Sequence, residues 1–544
     1  MEVNEMRWST GTKHNPTNDN RIIDGIPVSY TIYKSGANYY GEACSPTLSD
    51  IAAATNPTTV IQNAIDGLLS NGGLVFLKAG TYALTSPLSI TKNNVMLVGE
   101  GDFNAVGSEE AADYGTKLEV ATAIDAIDIT GTGAGKDSIQ GCLIQDLWIK
   151  GSGKSNGVKG IDLNYTDQVR INRVSVAAYN YGVYGANVDA TRIEDSWLCY
   201  NGYGAYFTNP LYTKILNNEI SDNDDDGIKI ILSSGDFTHV LIDGDSFKDN
   251  GANGINLENA FTVKIINTDL ISNDEDGIQL NNGKYTKIID NNILDNVQHG
   301  IAVGGDSDNC HIMGNSIYRN DYANSATYDG VCIYGTSCNN IITNNRILDN
   351  DRYEVSTDAT ANYNTIKNND FTGTDRELII YDLGTGNKFH TVNVPFIKEL
   401  NGTLETTSPI GVLIDAATET ALTWGVLPAE VQQAIRLKIW AIAKGAPVNA
   451  GGQMHGEFTW NAGGSLEDYN LAANSWNLTN FDSEEADYAA NKVIHWVIED
   501  GDVGNELRAL AGGDVFELHV IYESAADPDG ATNAVIRSVE IEYV

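Results

Sequence analysis

The sequence is poor in basic residues, with 33 Lys and Arg against 73 Asp and Glu among 544 residues, for a formal net charge of −40. A surface this acidic repels nucleic acids and anionic membranes, so we expect neither as a partner. No run approaches about 18 uninterrupted apolar residues, which argues against membrane insertion. The first twenty residues contain no apolar signal region, so either a signal was removed or the protein never uses that route.

Cysteine is also scarce. The six cysteines form no CxxC pair and show no spacing typical of a metal site. We expect buried thiols, with a Cys332–Cys338 disulfide as the alternative. The acidic charge also opposes a polyanionic substrate such as pectate, unless calcium bridges the two.

A glycine followed by a short apolar strand occurs eight times, at steps of 22, 22, 23, 27, 23, 23 and 30 residues. This period indicates a solenoid, in which each repeat buries its apolar face against its neighbours. The eight glycines are Gly160, Gly182, Gly204, Gly227, Gly254, Gly277, Gly300 and Gly330.

A second pattern lies between the glycines: apolar, any, Asn, polar, any, apolar, as in residues 215–220 and 265–270. A repeat of about 23 residues is too short for a strand and a crossover helix, which need about 30. We therefore predict coils of two or three short strands that stack in parallel at about 4.8 Å. The asparagines are expected to bond amide to amide along the stack and to tolerate the left-handed turn conformation.

Residues 58–69 have helical apolar spacing and precede a glycine pair, the strand LVFL and the turn KAGTY. This helix would cover the open end of the coil stack. Residues 60–101 resemble the start of pectate-lyase-like β-helix proteins, including phage tailspikes. The resemblance covers about residues 55–390 and implies a right-handed parallel β-helix. It does not select a chemistry, because the architecture hosts lyases, hydrolases, epimerases and adhesins.

The chain is predicted to be all-β, with three regions. Residues 1–50 form an N-terminal arm or attachment segment, or a frayed tail with one strand. Residues 51–394 form the β-helix with its capping helix. Residues 395–544 contain five of the eight tryptophans and several alternating strands separated by turn signals. They indicate an antiparallel, jelly-roll-like β-sandwich for trimerisation or glycan binding.

The second residue after each glycine is expected to point outward and to form one row along the solenoid. Two tyrosines of this row could stack on sugar rings, while its polar members bond hydroxyl groups. An ordinary solvated sheet face is the alternative. The predicted glycan-binding residues are Asp162, Tyr184, Tyr206, Lys229, Asn256 and Gln279.

The acidic turn before Gly227 contains Asp222, Asp224 and Asp226 at the spacing of the first half of a calcium loop. Calcium is therefore the candidate cofactor, and no other is indicated. Solvated turns without an ion are the alternative. The residues just before the glycines form a column that includes Asp226, Asp276 and His299.

Catalytic residues are not identified from the sequence. Glycoside hydrolysis needs two carboxylates on one face of coils one or two apart, whereas Asp162 and Glu258 lie four coils apart. Lys229 is the best single candidate base. Polysaccharide epimerases of the resembled fold carry Asp-Pro-His after the glycine strand, and that tripeptide does not occur here.

Three hypotheses follow. The first is a virion or extracellular spike, fibre or capsid-decorating protein, expected to be a homotrimer, that binds a cell-surface glycan and contacts other virion proteins. The second is a polysaccharide-active lyase, hydrolase or epimerase with a carbohydrate-binding module. A third hypothesis is a secreted or surface adhesin whose export signal has been removed.

Overall fold

The computed structural model describes residues 27–100, 115–133, 138–233, 238–322, 327–371 and 380–388 in full. Outside these ranges it describes only the strand backbone at 22–23, at 26 and within 390–543. The chain divides into two units: Met1–Cys338 with Asn350–Arg352, and Asn339–Asp349 with Tyr353–Val544. Among the described residues, no helix is long and apolar enough to cross a membrane.

The first unit begins with strands that join the solenoid. Strand Ile26–Ser35 pairs in parallel with Gly73–Leu77 and antiparallel with Asn38–Ala43. Strands Ile22–Ile23 and Ile51–Ala54 complete this part. Residues 26–54, placed mostly in the predicted arm, thus lie in a sheet with the first coil. The boundary at residue 50 stays a prediction.

The predicted capping helix is present at Pro57–Gly67. Asn56 begins it, because its side chain accepts the N–H of Thr58 at 3.0 Å and satisfies a donor that the first turn leaves open. Val60, Ile61 and Ala64 are fully buried. The apolar face predicted from the spacing therefore packs against the end of the coils.

The glycine-led strands form one parallel sheet, here called the glycine sheet. Its strands pair one coil to the next, as in Ile255 with Ile278 and Ile301 with Val331. In the first unit the strands are Leu88–Ile90, Ile127–Thr130, Lys159–Asn164, Tyr181–Ala186, Tyr203–Thr208, Ile228–Ile231, Ile255–Glu258, Ile278–Asn281, Ile301–Gly304 and Val331–Ile333.

Each full coil adds two further short strands in parallel ladders. The first ladder contains Gly73–Leu77, Val95–Gly99, Leu143–Lys150, Arg170–Ala177, Arg192–Glu194, Lys214–Leu216, Leu241–Asp243, Lys264–Ile266, Lys287–Ile289 and His311–Met313. The second contains Gly80–Leu84, Thr116–Val120, Trp197–Leu198, Glu219–Ser221, Ser246–Lys248, Asp269–Ile271, Asn292–Leu294 and Ser316–Tyr318, and the long strands 143–150 and 170–177 also reach it. Strands Ile139–Gln140 and Thr166–Asp167 form a separate parallel pair. The three-strand coil predicted from the repeat length is confirmed.

The core lies inside the coils and is built from stacked aliphatic side chains. In one coil Ile255, Leu257, Ile265 and Leu270 are fully buried, and the neighbouring coils place similar residues at the same positions. Each such burial contributes about 1.5–3 kcal/mol. The solenoid is thus stabilised coil by coil.

The glycine that begins each repeat has a steric cause. A Cβ atom on Gly254 would lie 2.8 Å from the carbonyl oxygen of Gly277, and one on Gly277 would lie 2.7 Å from that of Gly300. The chain turns so tightly there that successive coils leave no room for a side chain. The period read from the glycines is therefore the period of the coils.

The two residues of each asparagine pair have different structural roles. The first residue takes the left-handed conformation, as Asn217 and Asn267 do with φ of 54° and 51°. The second is buried and bonds along the stack, as Asn345 does through Nδ2 to Asn369 Oδ1 at 3.0 Å. Both expectations are met, but by neighbouring residues.

A longer row of buried amides, the inner asparagine stack, follows the second ladder. Asn250 Nδ2 donates to Asn273 Oδ1 at 2.9 Å, and Asn273 Nδ2 donates to Asn296 Oδ1 at 2.9 Å. Backbone N–H groups donate to the same oxygens. The members are Asn201, Asn223, Asn250, Asn273, Asn296, Asn320 and Asn350.

The second unit begins with further coil strands. Ile341–Thr343 pairs in parallel with Thr365–Lys367, and Val355–Thr357 pairs in parallel with Ile380–Asp382. Arg346–Leu348 is the remaining short strand. With two strands here and ten in the first unit, the described residues contain twelve strands of the glycine-sheet type.

The rest of the second unit forms two antiparallel sheets. One contains His390–Pro395, Thr403–Glu405, Gly411–Ile414, Ala434–Ala443, Val493–Glu499 and Ala534–Tyr543; the other contains Thr420–Val426, Gln453–Asn461, Ser475–Leu478 and Val515–Glu523. The predicted tryptophan environment and the sandwich packing of the sheets lie outside the described residues.

Candidate functional site

The six predicted glycan-binding residues lie side by side in one row on the outside of the glycine sheet. Asp162 pairs with Tyr184, Tyr184 with Tyr206, and Tyr206 with Lys229. The row continues through Asn256 to Gln279. Since parallel strands are about 4.8 Å apart, a ligand along the solenoid axis would meet one of these side chains per coil.

A second row, formed by the residues just before the glycines, runs beside the first. In the strand Lys159–Asn164 both Gly160 and Ile161 face inward, so Lys159 and Asp162 both face outward. Together the two rows form the outer face. The second row contains Lys159, Tyr181, Tyr203, Asp226, Asn253, Asp276, His299 and Asp329.

Four tyrosines form a patch on the outer face, here called the tyrosine quartet: Tyr181, Tyr184, Tyr203 and Tyr206. Tyr184 and Tyr206 stack at 5.8 Å between ring centroids, and Tyr181 and Tyr203 stack at 5.4 Å. Tyr203 meets Tyr206 edge-on at 5.3 Å. Burial raises the pKa of Tyr203 to about 12, so its phenol stays a hydrogen-bond donor at neutral pH.

Ion pairs flank the quartet on both sides. Lys159 Nζ lies 2.6 Å from Asp162 and 4.8 Å from the ring centroid of Tyr184. Lys229 Nζ lies 2.6 Å from Glu258 and 4.0 Å from Asp226. Burial lowers the pKa of Lys229, but its carboxylate partners more than offset this and raise the pKa above its ordinary value. Both lysines are thus charged and already paired.

Asp226 lies in the second row and accepts three N–H groups. Asn253 donates its backbone N–H at 3.1 Å and its Nδ2 at 2.8 Å to Oδ1, and Asn256 Nδ2 donates to Oδ2 at 3.1 Å. Burial raises the pKa of Asp226 above its ordinary value, although these hydrogen bonds and Lys229 act in the opposite direction. The contacts therefore support the carboxylate form.

Asp276 lies two coils further along the same row and is 3% exposed. The backbone N–H of His299 donates to its Oδ1 at 2.9 Å. Burial raises its pKa to about 7, and the negative charges of Glu275 and Asp226 act in the same direction. Asp276 therefore holds a proton over much of the neutral range.

Asn256 lies on the coil between Asp226 and Asp276. Only 5% of the residue is exposed, and its Oδ1 has no hydrogen-bond partner. A buried acceptor without a partner costs about 1–3 kcal/mol. A hydroxyl group of a ligand at this position would remove that cost.

At the far end of the outer face, His299 lies beside Asp329. The backbone N–H of Asp329 donates to His299 Nδ1 at 2.9 Å, which leaves the ring proton on Nε2. Burial lowers the pKa of His299, so the ring is neutral at pH 7. Arg352 binds the carboxylate of Asp329 through two N–H groups, at 2.8 and 2.6 Å.

The three aspartates of the predicted calcium loop have separate surroundings. Asp224 is exposed and pairs with Lys154 at 2.5 Å, whereas Asp226 is buried in the outer face. Asp222 takes the left-handed turn conformation with φ of 55°. In the described part of the chain, the group of three or more His, Cys, Asp or Glu close enough to share an ion is His299, Asp329 and Cys332. Calcium binding by the loop stays a prediction.

The cysteines are unbridged thiols, which excludes the Cys332–Cys338 disulfide. Cys142, Cys199 and Cys310 are buried, as expected, and the other three are partly buried. Burial raises the pKa of Cys199 to about 11. Such thiols do not act as nucleophiles at neutral pH.

Two family models match the chain. Residues 277–394 match the right-handed beta helix region, and residues 135–330 match the periplasmic copper-binding protein NosD. The solenoid is a right-handed parallel β-helix. A search of curated proteins finds no match.

Solved structures with a similar fold include enzymes and phage proteins. The A-module of a mannuronan C-5 epimerase from Azotobacter vinelandii is 21% identical over 61% of this chain and 95% of its own, with a TM-score of 0.49. The Dettilon tailspike protein is 14% identical over 86% of this chain and 91% of its own, with a TM-score of 0.45. DFA-IIIase from Arthrobacter chlorophenolicus is 15% identical over 55% and 84%, with a TM-score of 0.44. Likeness at this level does not distinguish between their functions.

NosD is described as copper-binding, and in the described part of the chain the group that could hold a metal is His299, Asp329 and Cys332. Their donor atoms lie within 4.8 Å of one another. However, His299 Nδ1 already accepts a backbone N–H, and the guanidinium of Arg352 neutralises Asp329. A second cation on that carboxylate is disfavoured. These contacts do not fit a copper centre.

The sequence-based prediction of the site missed two features. Tyr181 and Tyr203 precede their glycines and were not among the predicted site residues. The carboxyl groups of Asp226 and Asp276 were considered only as an acidic column. The sequence does contain a signal for the second row, because each of its residues lies three positions before a residue of the first row. That spacing places both residues on the outside only because two consecutive residues, the glycine and the one after it, face inward.

Proposed function

We propose that the outer face binds a polysaccharide chain that lies along the solenoid axis. The tyrosine quartet supports this most directly: it is a cluster of four aromatic rings in register with the coils, in which two stacked pairs meet at steep angles. Aromatic rings stack on the apolar faces of sugars, and buried polar groups fix the sugar hydroxyls. Asp162, Lys229, Asn256 and Gln279 would supply those polar contacts.

The charge of the face favours a neutral glycan. Its lysines are paired with carboxylates, as Lys159 is with Asp162 and Lys229 with Glu258. Asp225 and Glu275 add negative charge nearby. The carboxylates of a uronate polymer would be repelled by this negative charge, because the lysines of the face are already paired. A neutral sugar chain would not be repelled.

Binding is tested with a panel of neutral and acidic polysaccharides and the variant Tyr206→Ala. We expect the variant to bind the selected neutral glycan about 10- to 100-fold more weakly, since it loses one stacked ring and disturbs its neighbours. Tyr212→Ala is the matched control, because Tyr212 is exposed and stacks with His239 instead of the quartet. Equal affinities of wild type and Tyr206→Ala would contradict the proposal.

We further propose that the protein is displayed outside a cell or on a virion as a glycan-binding spike or fibre. The tailspike resemblance of residues 60–101 and the periplasmic description of the matched family support an extracytoplasmic location. In this proposal residues 395–544 form a β-sandwich that joins three chains. A solution mass close to three times 58.6 kDa would support the trimer, and a stable monomer would exclude it.

A further inference from the structure

The middle of the outer face brings two carboxyl groups into one row, Asp226 and Asp276, with Asn253 on the coil between them. Two strand spacings put them about 9–10 Å apart along the axis. Enzymes that hydrolyse glycosides with inversion separate their two carboxyl groups by about 6.5–9.5 Å, which leaves room for a water molecule. The spacing along the row is about equal to the upper limit of that range.

The two groups differ in their hydrogen bonds. Asp226 accepts three N–H groups and lies 4.0 Å from the ammonium of Lys229. Asp276 has one hydrogen-bond donor, the backbone N–H of His299, and lies among other acids. Because both oxygens of Asp226 accept N–H groups, its contacts favour the carboxylate, whereas burial raises the pKa of Asp276 to about 7 and leaves it partly protonated at neutral pH. Asp226 suits a general base and Asp276 suits a general acid.

Asn256 supplies an independent sign of a ligand. Its amide is 95% buried, since 5% of the residue is exposed, and its Nδ2 is committed to Asp226. Its Oδ1 has no partner, although it lies on the coil between the two carboxyl groups. A sugar hydroxyl that donates to this oxygen would hold the glycan across both carboxyl groups.

We propose that this part of the outer face hydrolyses the bound neutral glycan with inversion at the anomeric carbon, with Asp276 as the acid and Asp226 as the base. This inference rests on the proposed glycan binding. The proton of Asp276 moves to the glycosidic oxygen as the bond from that oxygen to the anomeric carbon breaks. A water oxygen bonds to the anomeric carbon from the other side and gives a proton to Asp226. Exchange with solvent then restores both carboxyl groups.

Lys229 and Glu258 are positioning residues in this scheme. The ammonium of Lys229 is shared by Glu258 at 2.6 Å and Asp226 at 4.0 Å, so it keeps Asp226 anionic. Because Lys229 is already paired, it cannot also neutralise the carboxylate of a uronate. An elimination reaction on a uronate would require a cation in that role. Hydrolysis needs no such cation.

The test uses the full chain and a neutral polysaccharide selected by its binding to it. Release of reducing ends is measured for wild type, Asp226→Asn and Asp276→Asn, and the anomer first formed is identified by NMR. We expect wild type to release the inverted anomer and each variant to lose about 100- to 10,000-fold in rate, with binding retained. Wild-type activity is expected to fall as pH rises through the pKa of Asp276, about 7.

Asp274→Asn is the matched control, since Asp274 is exposed and two residues from Asp276. It is expected to retain wild-type activity, and melting curves of all variants verify folding. Binding without release of reducing ends would overturn hydrolysis but leave the proposed glycan binding intact. Retention of configuration would overturn the assignment of Asp226 as the base. Absence of binding to every glycan would instead overturn the proposed function.

Discussion

The inner asparagine stack and the outer face run along the same coils, but the inner stack places one amide on each coil, whereas the outer face presents two rows of side chains. In the inner stack the residue is the same throughout, and each of the amides from Asn223 to Asn320 donates to the next. On the outer face the residue changes from tyrosine to lysine to amide to carboxylate, and Asn256 leaves an acceptor without a partner. Stacking of like groups stabilises a coil; the varied face is not required by the fold, which is why we attribute function to it.

We expect the largest loss of stability from a substitution in the inner asparagine stack. Asn250→Ala removes the acceptor of the backbone N–H and Nδ2 of Asn223 and leaves Asn273 Oδ1 with one donor, the backbone N–H of residue 250. Each buried group left unpaired costs about 1–3 kcal/mol, so we expect the free energy of unfolding to fall by about 3–5 kcal/mol. Urea unfolding followed by circular dichroism measures it.

Asn281→Ala is the control for that prediction, because Asn281 is an exposed asparagine of a neighbouring coil. Its replacement should change the free energy of unfolding by less than about 0.5 kcal/mol. Similar losses for both variants would show that the buried stack has no special role in stability.

The same contrast explains how much could be predicted from the sequence. The fold was predictable because its constraints recur: Gly254 and Gly277 have no room for a Cβ, and Ile255 and Leu257 must be apolar to fill the core. Periodic constraints leave a periodic sequence. The outer row could be counted from the same glycines, and its register is as predicted.

The chemistry of the face was less predictable because it depends on contacts between distant residues. Asp224 was grouped with Asp226 by loop spacing, but its partner is Lys154, 70 residues away in sequence. The protonation of Asp276 depends on burial and on the neighbouring coils, which the residue type does not reveal. Tyr181 required knowledge of the inward bend at the glycine.

A smaller effect is expected where the two regions touch. A Cβ on Gly254 would lie 3.0 Å from Asn273 Nδ2 in the inner stack and 2.8 Å from the oxygen of Gly277. We expect Gly254→Ala to lower the free energy of unfolding by about 1–3 kcal/mol through this crowding. In Gly283→Ala the nearest atoms would be 3.6 Å away, so that variant should unfold like wild type in the same urea titration. Equal stability of both variants would contradict the steric account of the repeated glycines.

The last prediction is a pH dependence of stability caused by Asp245, a buried carboxyl group at the corner between the first and the second ladder. Its Oδ1 accepts both N–H groups of Asn218, at 2.7 and 2.8 Å, yet burial raises its pKa to about 7. The unfolded pKa is about 4, so the folded state holds an extra proton between pH 4 and 7, and its stability decreases as pH rises through this window. Asp245→Asn cannot titrate and should gain up to about 4 kcal/mol at pH 8, the equivalent of about three pKa units, and almost nothing at pH 4. Melting temperatures across this range measure the difference. Asp249 is exposed on the same coil, so the control variant Asp249→Asn should keep the pH dependence of the wild-type melting temperature. If Asp245→Asn showed the same pH dependence as wild type, a carboxyl group would be tolerated at this buried position as well as an amide.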